Sequence, residues 1–134
     1  MAYWLVKSDP SSYPWEQFLR DKITVWDGVR NYQARNNLAA MKVGDKVLFY
    51  HSVEGKCITG ITQVLKEAYP DPKEKEGNWL AVELKVVKSL NKPVTLEQIK
   101  KSTKLKNISL IKQGRLSVVP IAEEEFQFIL KMAE

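Results

Sequence analysis

Aromatic and polar side chains occur together where short apolar runs end in this 134-residue sequence. Trp26 closes one run and precedes the turn signal Asp27-Gly28, Phe49-Tyr50-His51-Ser52 ends another, and Tyr69-Pro70 begins a polar loop. An aromatic ring can stack on an unpaired nucleobase while neighbouring amides and hydroxyls bond to the edge of that base. The pattern is typical of a nucleobase site, although each ring taken alone is also typical of a core or turn residue.

The segment from Arg30 to Asn36 places six hydrogen-bonding side chains in seven positions. It opens a predicted helix, and the first backbone N–H groups of a helix have no partner within it and favour an anion. The segment therefore adds anion-binding groups to the aromatic cluster.

Catalytic chemistry has weaker support, because His51 is the only histidine and Cys57 the only cysteine. Ser52 follows His51 directly, and adjacent residues of a strand point to opposite faces, which does not suit a nucleophile–base pair. Cys57 could approach His51 across a hairpin, but a lone cysteine more often packs as a small apolar residue. The sequence also has no zinc-ligand set and no glycine motif for phosphates, so we expect no metal and no other cofactor.

The formal net charge is +5, and the positive charge is concentrated between residues 85 and 115. This stretch holds nine lysine or arginine residues against a single acidic residue, Glu97. Such a basic segment indicates a polyanion partner, with a solvated lysine-rich surface as the alternative.

Length and apolar content indicate one domain, residues 1–134, with a core of its own. No apolar run approaches the ~20 residues that cross a bilayer, and the first residues lack the pattern of a signal peptide. A single cysteine allows no internal disulfide. We therefore expect an intracellular protein, cytoplasmic or, in a eukaryote, nuclear, with no membrane partner.

Hydrophobic periodicity predicts short strands interleaved with short helices. We expect strands over residues 3–7, 23–26, 46–51, 56–65, 80–86 and 116–121, and helices over 14–21, 31–41, 96–101 and 123–133. The aromatic residues assigned to the core are Trp4, Trp15, Phe126 and Phe128. The strand pairs are predicted to be antiparallel, so the expected fold is α+β, a barrel of five or six strands flanked by short helices.

Five sequence blocks, in order along almost the whole chain, resemble the EVE domain family, and in particular its thymocyte nuclear protein members. The longest block runs from Trp26 to Asn36 and is the most specific, and the other four cover residues 3–10, 49–52, 67–71 and 115–120. Two positions depart from the family pattern, because Asp9 stands where Glu is usual and Val119 where Gln is common.

The resemblance implies a PUA-like fold, a mixed barrel related to YTH domains, and a non-enzymatic reader of modified nucleobases. The first candidate ligand is a modified cytosine in DNA, flipped into an aromatic and polar pocket, and an RNA base is the alternative. Trp26 would be the stacking platform. The full set of pocket residues implied by the matching blocks is Lys7, Ser8, Trp26, Asn31, Tyr32, Phe49, His51, Ser52 and Tyr69.

Basic residues around this pocket would hold the phosphates. The residues in this role are Arg30, Arg35, Lys100, Lys101, Lys104 and Arg115. A small nuclease or base-modifying hydrolase on the same fold is the second hypothesis, with Lys7, Tyr50 and His51 as catalytic candidates. A module that binds a peptide through the aromatic cluster is the third.

Overall fold

The computed structural model describes residues 1–74 and 76–134 and contains a six-stranded sheet with short helices packed around it. The strands are β1 (Tyr3–Ser8), β2 (Ile23–Trp26), β3 (Lys46–His51), β4 (Cys57–Pro70), β5 (Leu80–Thr95) and β6 (Val118–Ile121). The helices are α1 (Trp15–Asp21), α2 (Tyr32–Ala40), α3 (Leu96–Lys101), α4 (Ser109–Lys112) and α5 (Glu123–Met132), with a 3₁₀ turn over Thr103–Leu105. The predicted α+β class is confirmed.

The strand order is β2-β5-β4-β3-β1-β6, so β2 and β6 are the two ends of the sheet. β1 runs parallel to β3, with Leu5 opposite Leu48 and Ser8 opposite His51. The prediction of antiparallel pairs is wrong here, because the chain passes through α1, β2 and α2 before β3 and returns in the same direction. The sheet is barrel-like, but β2 and β6 do not pair within the described residues. We call the gap between these two strands the seam.

β4 and β5 form a hairpin with arms of 14 and 16 residues, much longer than predicted. Register shifts along β4 interrupt the alternation of inward and outward side chains on which sequence patterns rely. Tyr69 consequently lies within β4, opposite Ala81, and does not begin a loop.

Apolar residues of the sheet and the helices form one core. The predicted core residues Trp4, Trp15 and Phe126 are buried, whereas Phe128 is only partly buried and packs against the edge of the core. Trp15 and Phe18 form the buried face of α1, and Leu19 is 38% exposed.

The buried carboxylate of Asp45 fastens β1 to the turn before β3. It accepts hydrogen bonds from the indole N–H of Trp4 (3.0 Å) and from the backbone N–H groups of Ala2 and Lys42. Burial raises the pKa of this carboxyl, but the three hydrogen bonds outweigh burial and hold the pKa below its ordinary value. Asp45 therefore supports the parallel pairing of β1 with β3.

Local signals place the helices close to their predicted limits. Asn31 caps α2, because its Oδ1 accepts a hydrogen bond from the backbone N–H of Ala34 at 3.0 Å. Thr95 and Gln98 form a capping box at the start of α3. Among the described residues, the helices are all too short or too polar to span a bilayer.

Gly60 of β4 lies directly against the ring of Trp15, where an added Cβ would overlap the indole. We expect Gly60→Ala to lower the free energy of unfolding by about 1–3 kcal/mol, because neither β4 nor the buried ring can move freely. Urea unfolding measures this change. Gly114→Ala is the matched control, since a Cβ there meets only Ile111 O at 3.9 Å. Equal stability of the two variants would contradict the packing described for Trp15.

Candidate functional site

A cavity of about 680 Å³ lies at the seam of the sheet. Its walls come from the end of β1 and the loop after it, from β2 and the loop between β2 and α2, from Lys73, and from the residue before β6. The strand residues and the residue before β6 that line it are Lys7, Ser8, Thr24, Val25, Trp26 and Ser117. Since an open seam exposes groups that a closed barrel would cover, the fold itself creates this concave surface.

Trp26 forms the aromatic wall of the cavity and is half-buried. Its ring meets Phe49 nearly at right angles (centroids 5.8 Å apart, 86°) and Tyr13 at 76° (6.4 Å). Perpendicular contacts of this kind are a favoured geometry for aromatic pairs. They hold the plane of the indole while leaving part of the ring accessible in the cavity.

Lys7 and Ser8 bring polar groups to the cavity at the end of β1. The Lys7 ammonium donates to Gly114 O at 2.8 Å, and burial lowers the pKa of this amine. Ser8 Oγ donates to Tyr13 O at 2.7 Å. The Ser8 hydroxyl is thus engaged within the protein, whereas an ammonium has three donors and Lys7 can still donate to a ligand.

The loop between β2 and α2 is held by the carboxylate of Asp71, whose side chain is completely buried. Asp71 Oδ2 accepts from the Gly28 N–H and from Arg30 Nη1, both at 2.9 Å, and Oδ1 accepts from the Lys73 N–H at 2.7 Å. Burial raises the pKa of Asp71, but the bonds from Arg30, Gly28 and Lys73 and the charge of Arg30 bring it below its ordinary value. Asp71 is therefore a buried anchor of the loop and not a solvated loop charge.

Four further ionisable residues line the cavity, namely Asp9, Tyr13, Asp27 and Lys73. The Asp27 carboxylate lies 3.2 Å from Lys73 Nζ, with 20% of the Asp27 side chain exposed. Tyr13 donates its hydroxyl to Asp21 Oδ2 at 2.8 Å, and burial raises the pKa of Tyr13 to about 12, so this phenol is neutral. Sequence reasoning missed Asp27, Lys73 and Tyr13 as lining residues. Only Asp27 carried a signal, since it lies within the block that begins at Trp26.

The cavity brings together five of the predicted site residues and not the others. Those that line it are Lys7, Ser8, Trp26, Arg30 and Asn31. Phe49 is fully buried and contacts Trp26 from within the core. His51 and Ser52 serve the backbone, because His51 Nε2 accepts from the Trp15 N–H at 3.0 Å and the Ser52 N–H donates to Ser8 O at 2.9 Å.

Tyr32 and Tyr69, also expected at the pocket, lie outside its lining. Tyr32 is 62% exposed and stacks on Trp79 with ring centroids 4.9 Å apart. Tyr69 donates its hydroxyl to Glu83 Oε2 at 3.2 Å, and Lys66 Nζ lies 4.5 Å from its ring centroid.

The alignment of this chain with known proteins decides its family. Residues 2–132 match the model of the EVE domain. The chain belongs to the EVE domain family. It is 36% identical to human thymocyte nuclear protein 1 over 99% of this chain and 74% of that protein. The predicted family is thereby confirmed.

Two solved structures relate the fold of this EVE domain to known ones. The human THYN1 protein, crystallised in complex with DNA that contains 5-methylcytosine, has a TM-score of 0.93 at 34% identity, covering 100% of this chain and 98% of that one. The YTH domain of the Zygosaccharomyces rouxii MRB1 protein shares the fold alone, with a TM-score of 0.64 at 12% identity over 99% of this chain and 86% of that one. The predicted PUA-like fold is confirmed.

The lysines expected to hold phosphates lie elsewhere on the EVE domain. Lys100, Lys101 and Lys104 belong to α3 and the following 3₁₀ turn and do not line the seam cavity. Lys104 instead lies 5.3 Å from the ring centroid of Phe128 and borders a second cavity of about 520 Å³. Arg115 is exposed and also outside the lining, so Arg30 alone of the predicted phosphate residues borders the cavity.

The catalytic candidates of the second hypothesis are not gathered at one place. Lys7 lines the cavity, but Tyr50 and His51 do not. Burial lowers the pKa of His51, and Cys57, its neighbour across the hairpin, has a pKa raised by burial. Within residues 1–74 and 76–134, no group of three His, Cys, Asp or Glu side chains is placed to hold a metal ion.

Replacing Asp71 tests the role of its carboxylate in the loop. We expect Asp71→Asn to lower the free energy of unfolding at pH 7 by about 1–3 kcal/mol, because an amide presents one oxygen and one NH₂ to three donors. The pKa of Asp71 is lowered by folding, so its contribution is present above the unfolded pKa and is lost as the pH falls. The difference between the wild type and Asp71→Asn should therefore shrink below about pH 5.

Urea unfolding between pH 7 and pH 3 measures this difference. Glu74→Gln is the control, because Glu74 is exposed and should leave the curve unchanged. A constant difference across this pH range would refute the stabilisation by an ionised Asp71.

Proposed function

We propose that this EVE domain is a reader of modified bases in nucleic acid and that it accommodates a flipped modified cytosine of DNA in the seam cavity. The observation that carries the proposal is the position of Trp26, a half-exposed indole held by perpendicular rings in the wall of a cavity of about 680 Å³. A volume of this order suits a small organic ligand. Indole faces stack on bases of any sequence, at about 1–3 kcal/mol per base.

The human THYN1 complex supports DNA with a modified cytosine as the ligand class. That structure contains 5-methylcytosine DNA, and its chain is matched over 98% of its length with a TM-score of 0.93. Because this chain shares the fold over its whole length, the same ligand class is the first to be tested here.

The charges around Trp26 also favour cytosine over thymine. A cytosine presents an N4 amine as donor, and Asp carboxylates accept from this amine in protein–DNA complexes. Asp27 supplies such a carboxylate in the lining, and the Lys7 ammonium supplies a donor for the acceptors of the base. Thymine has a carbonyl in place of the amine and would present an acceptor to the carboxylate of Asp27.

A reader binds its ligand without changing it chemically. The residues that line the seam cavity suit binding alone. Tyr50 and His51, the groups that a hydrolase would use, are held in the sheet outside the cavity. Lys7 then remains as a donor to the base and not as one member of a catalytic set. We therefore propose a non-enzymatic role.

Trp26→Ala should weaken binding to a methylated duplex by about 5- to 150-fold, which corresponds to one base stack. The measurement is fluorescence polarisation with labelled duplexes that differ at a single cytosine, which is unmodified, methylated, hydroxymethylated or carboxylated. Phe128→Ala is the matched control, because Phe128 is a partly buried ring at the other cavity.

Tighter binding to one modified duplex that Trp26→Ala abolishes would support the proposal. Unchanged binding by a folded Trp26→Ala variant would contradict it. If all four duplexes bind equally, modified RNA is the next ligand to titrate. Turnover of the oligonucleotide would support the hypothesis of a nuclease or base-modifying hydrolase.

The salt dependence of binding locates the phosphate contacts. Each phosphate neutralised on duplex DNA contributes about 0.9 to the slope of log K against log salt concentration. Combined replacement of Lys100, Lys101 and Lys104 by Gln should weaken binding to all sequences alike and reduce the slope by up to about 2.7 if all three contact phosphates. Arg35→Gln is measured beside it and should reduce the slope by about 0.9. An unchanged slope in the triple variant would exclude the α3 lysines from the phosphate path.

A further inference from the structure

A partly exposed row of aromatic and cationic side chains begins at the rim of the seam cavity. Tyr32 stacks on Trp79, with centroids 4.9 Å apart and planes at 23°. The Arg35 guanidinium carbon lies 5.1 Å from the Tyr32 ring centroid, and that of Arg30 lies 5.6 Å from the Trp79 centroid. We call these four residues the Tyr32 row.

The Tyr32 row is rigidly supported although it lies at the surface. The Asp71 N–H donates to Trp79 O at 2.9 Å, and the Asp71 carboxylate also binds Arg30. Asn31 caps the helix in which Tyr32 is the first residue. The ring of Tyr32 is therefore held from both ends of the row while 62% of the residue stays exposed.

Chain continuity places this ring beside the cavity. Arg30 and Asn31 line the cavity, and Tyr32 is the next residue. An aromatic ring that is held in place and exposed to water is unfavourable in an isolated domain. Such rings are typical of contact surfaces. Arg30 is ion-paired with Asp71, and Arg35 is the cation of the row that can meet the phosphates of a strand running past the cavity.

Base flipping gives this surface a specific occupant. A base that leaves a duplex breaks its stacking and pairing, at a cost of a few kcal/mol, and leaves a gap between its neighbours. Proteins that open base steps insert side chains into them and thereby recover part of this cost. A single-stranded ligand has no such gap.

We propose that Tyr32, supported by Trp79, occupies the gap in the duplex that the flipped base leaves, while Arg35 contacts the adjacent backbone. The inference rests on the proposed function and adds a second contact, which is used only when the modified base begins in a duplex. Trp26 and Tyr32 thus have separate tasks, since Trp26 binds the base and Tyr32 replaces it.

Three ligands with the same modified cytosine separate these tasks. They are a fully paired methylated duplex, the same duplex with a mismatch opposite the methylcytosine, and the methylated single strand. Tyr32→Ala should weaken binding to the paired duplex by about 5- to 150-fold, the factor of one lost base stack, and to the single strand by less than about twofold. The mismatched duplex should fall between them, because its base is already partly unpaired.

Tyr32→Phe is the matched control and should bind all three ligands as the wild type does, since it retains the ring. Trp26→Ala, measured in parallel, should weaken binding to all three by a similar factor. Because Tyr32 is exposed, its variants are expected to fold, which thermal unfolding checks.

The outcomes separate the two proposals. An equal loss on duplex and single strand in Tyr32→Ala would overturn the gap-filling role and assign Tyr32 to the strand contact. No loss on any ligand in Tyr32→Ala, together with a loss in Trp26→Ala, would overturn the role of Tyr32 and leave the base reader intact. No loss in either variant would overturn both.

Discussion

The arrangement of the site depends on the hydrogen bonds that the Asp71 carboxylate accepts. Its two oxygens receive the N–H groups of Gly28 and Lys73 and a guanidinium N–H of Arg30, so a fully buried charge has partners on both oxygens. A buried carboxylate without such partners would carry a large desolvation penalty. Because the same residue bonds through its backbone N–H to Trp79, one buried residue positions both the cavity wall and the Tyr32 row.

The aromatic wall of the cavity is also in direct contact with the hydrophobic core. Trp26 contacts Phe49, Phe49 contacts Trp15 and Phe18, and Trp15 packs against Gly60. Close-packed interiors transmit changes in volume to their neighbours. The plane of the indole therefore depends on aromatic packing well below the surface, and a substitution in that packing changes both stability and the shape of the site.

Much of the fold could be predicted because its signals are local. The caps of α2 and α3 each depend on residues within a few positions. The parallel pairing of β1 with β3 and the length of β4 and β5 depend on distant partners and on register shifts, which no local pattern records. Four consecutive residues of β3, Val47 to Tyr50, are buried, so alternation could not tell whether Phe49 faces the core or a cavity. Asp71 binds partners some forty residues earlier in the chain, and Trp79 has no motif around it.

The position of β6 has a consequence for biosynthesis. β1 pairs with β3 on one side and with β6 on the other, where Tyr3 lies opposite Ile121. Contacts between residues so far apart in sequence form late, because the intervening chain must be ordered first. During translation the ribosome releases β1 and β3 long before β6 and the preceding Ser117, which completes the wall of the cavity. A nascent chain therefore has no complete seam cavity until Ser117 has emerged, and this concave surface exists only on the finished domain.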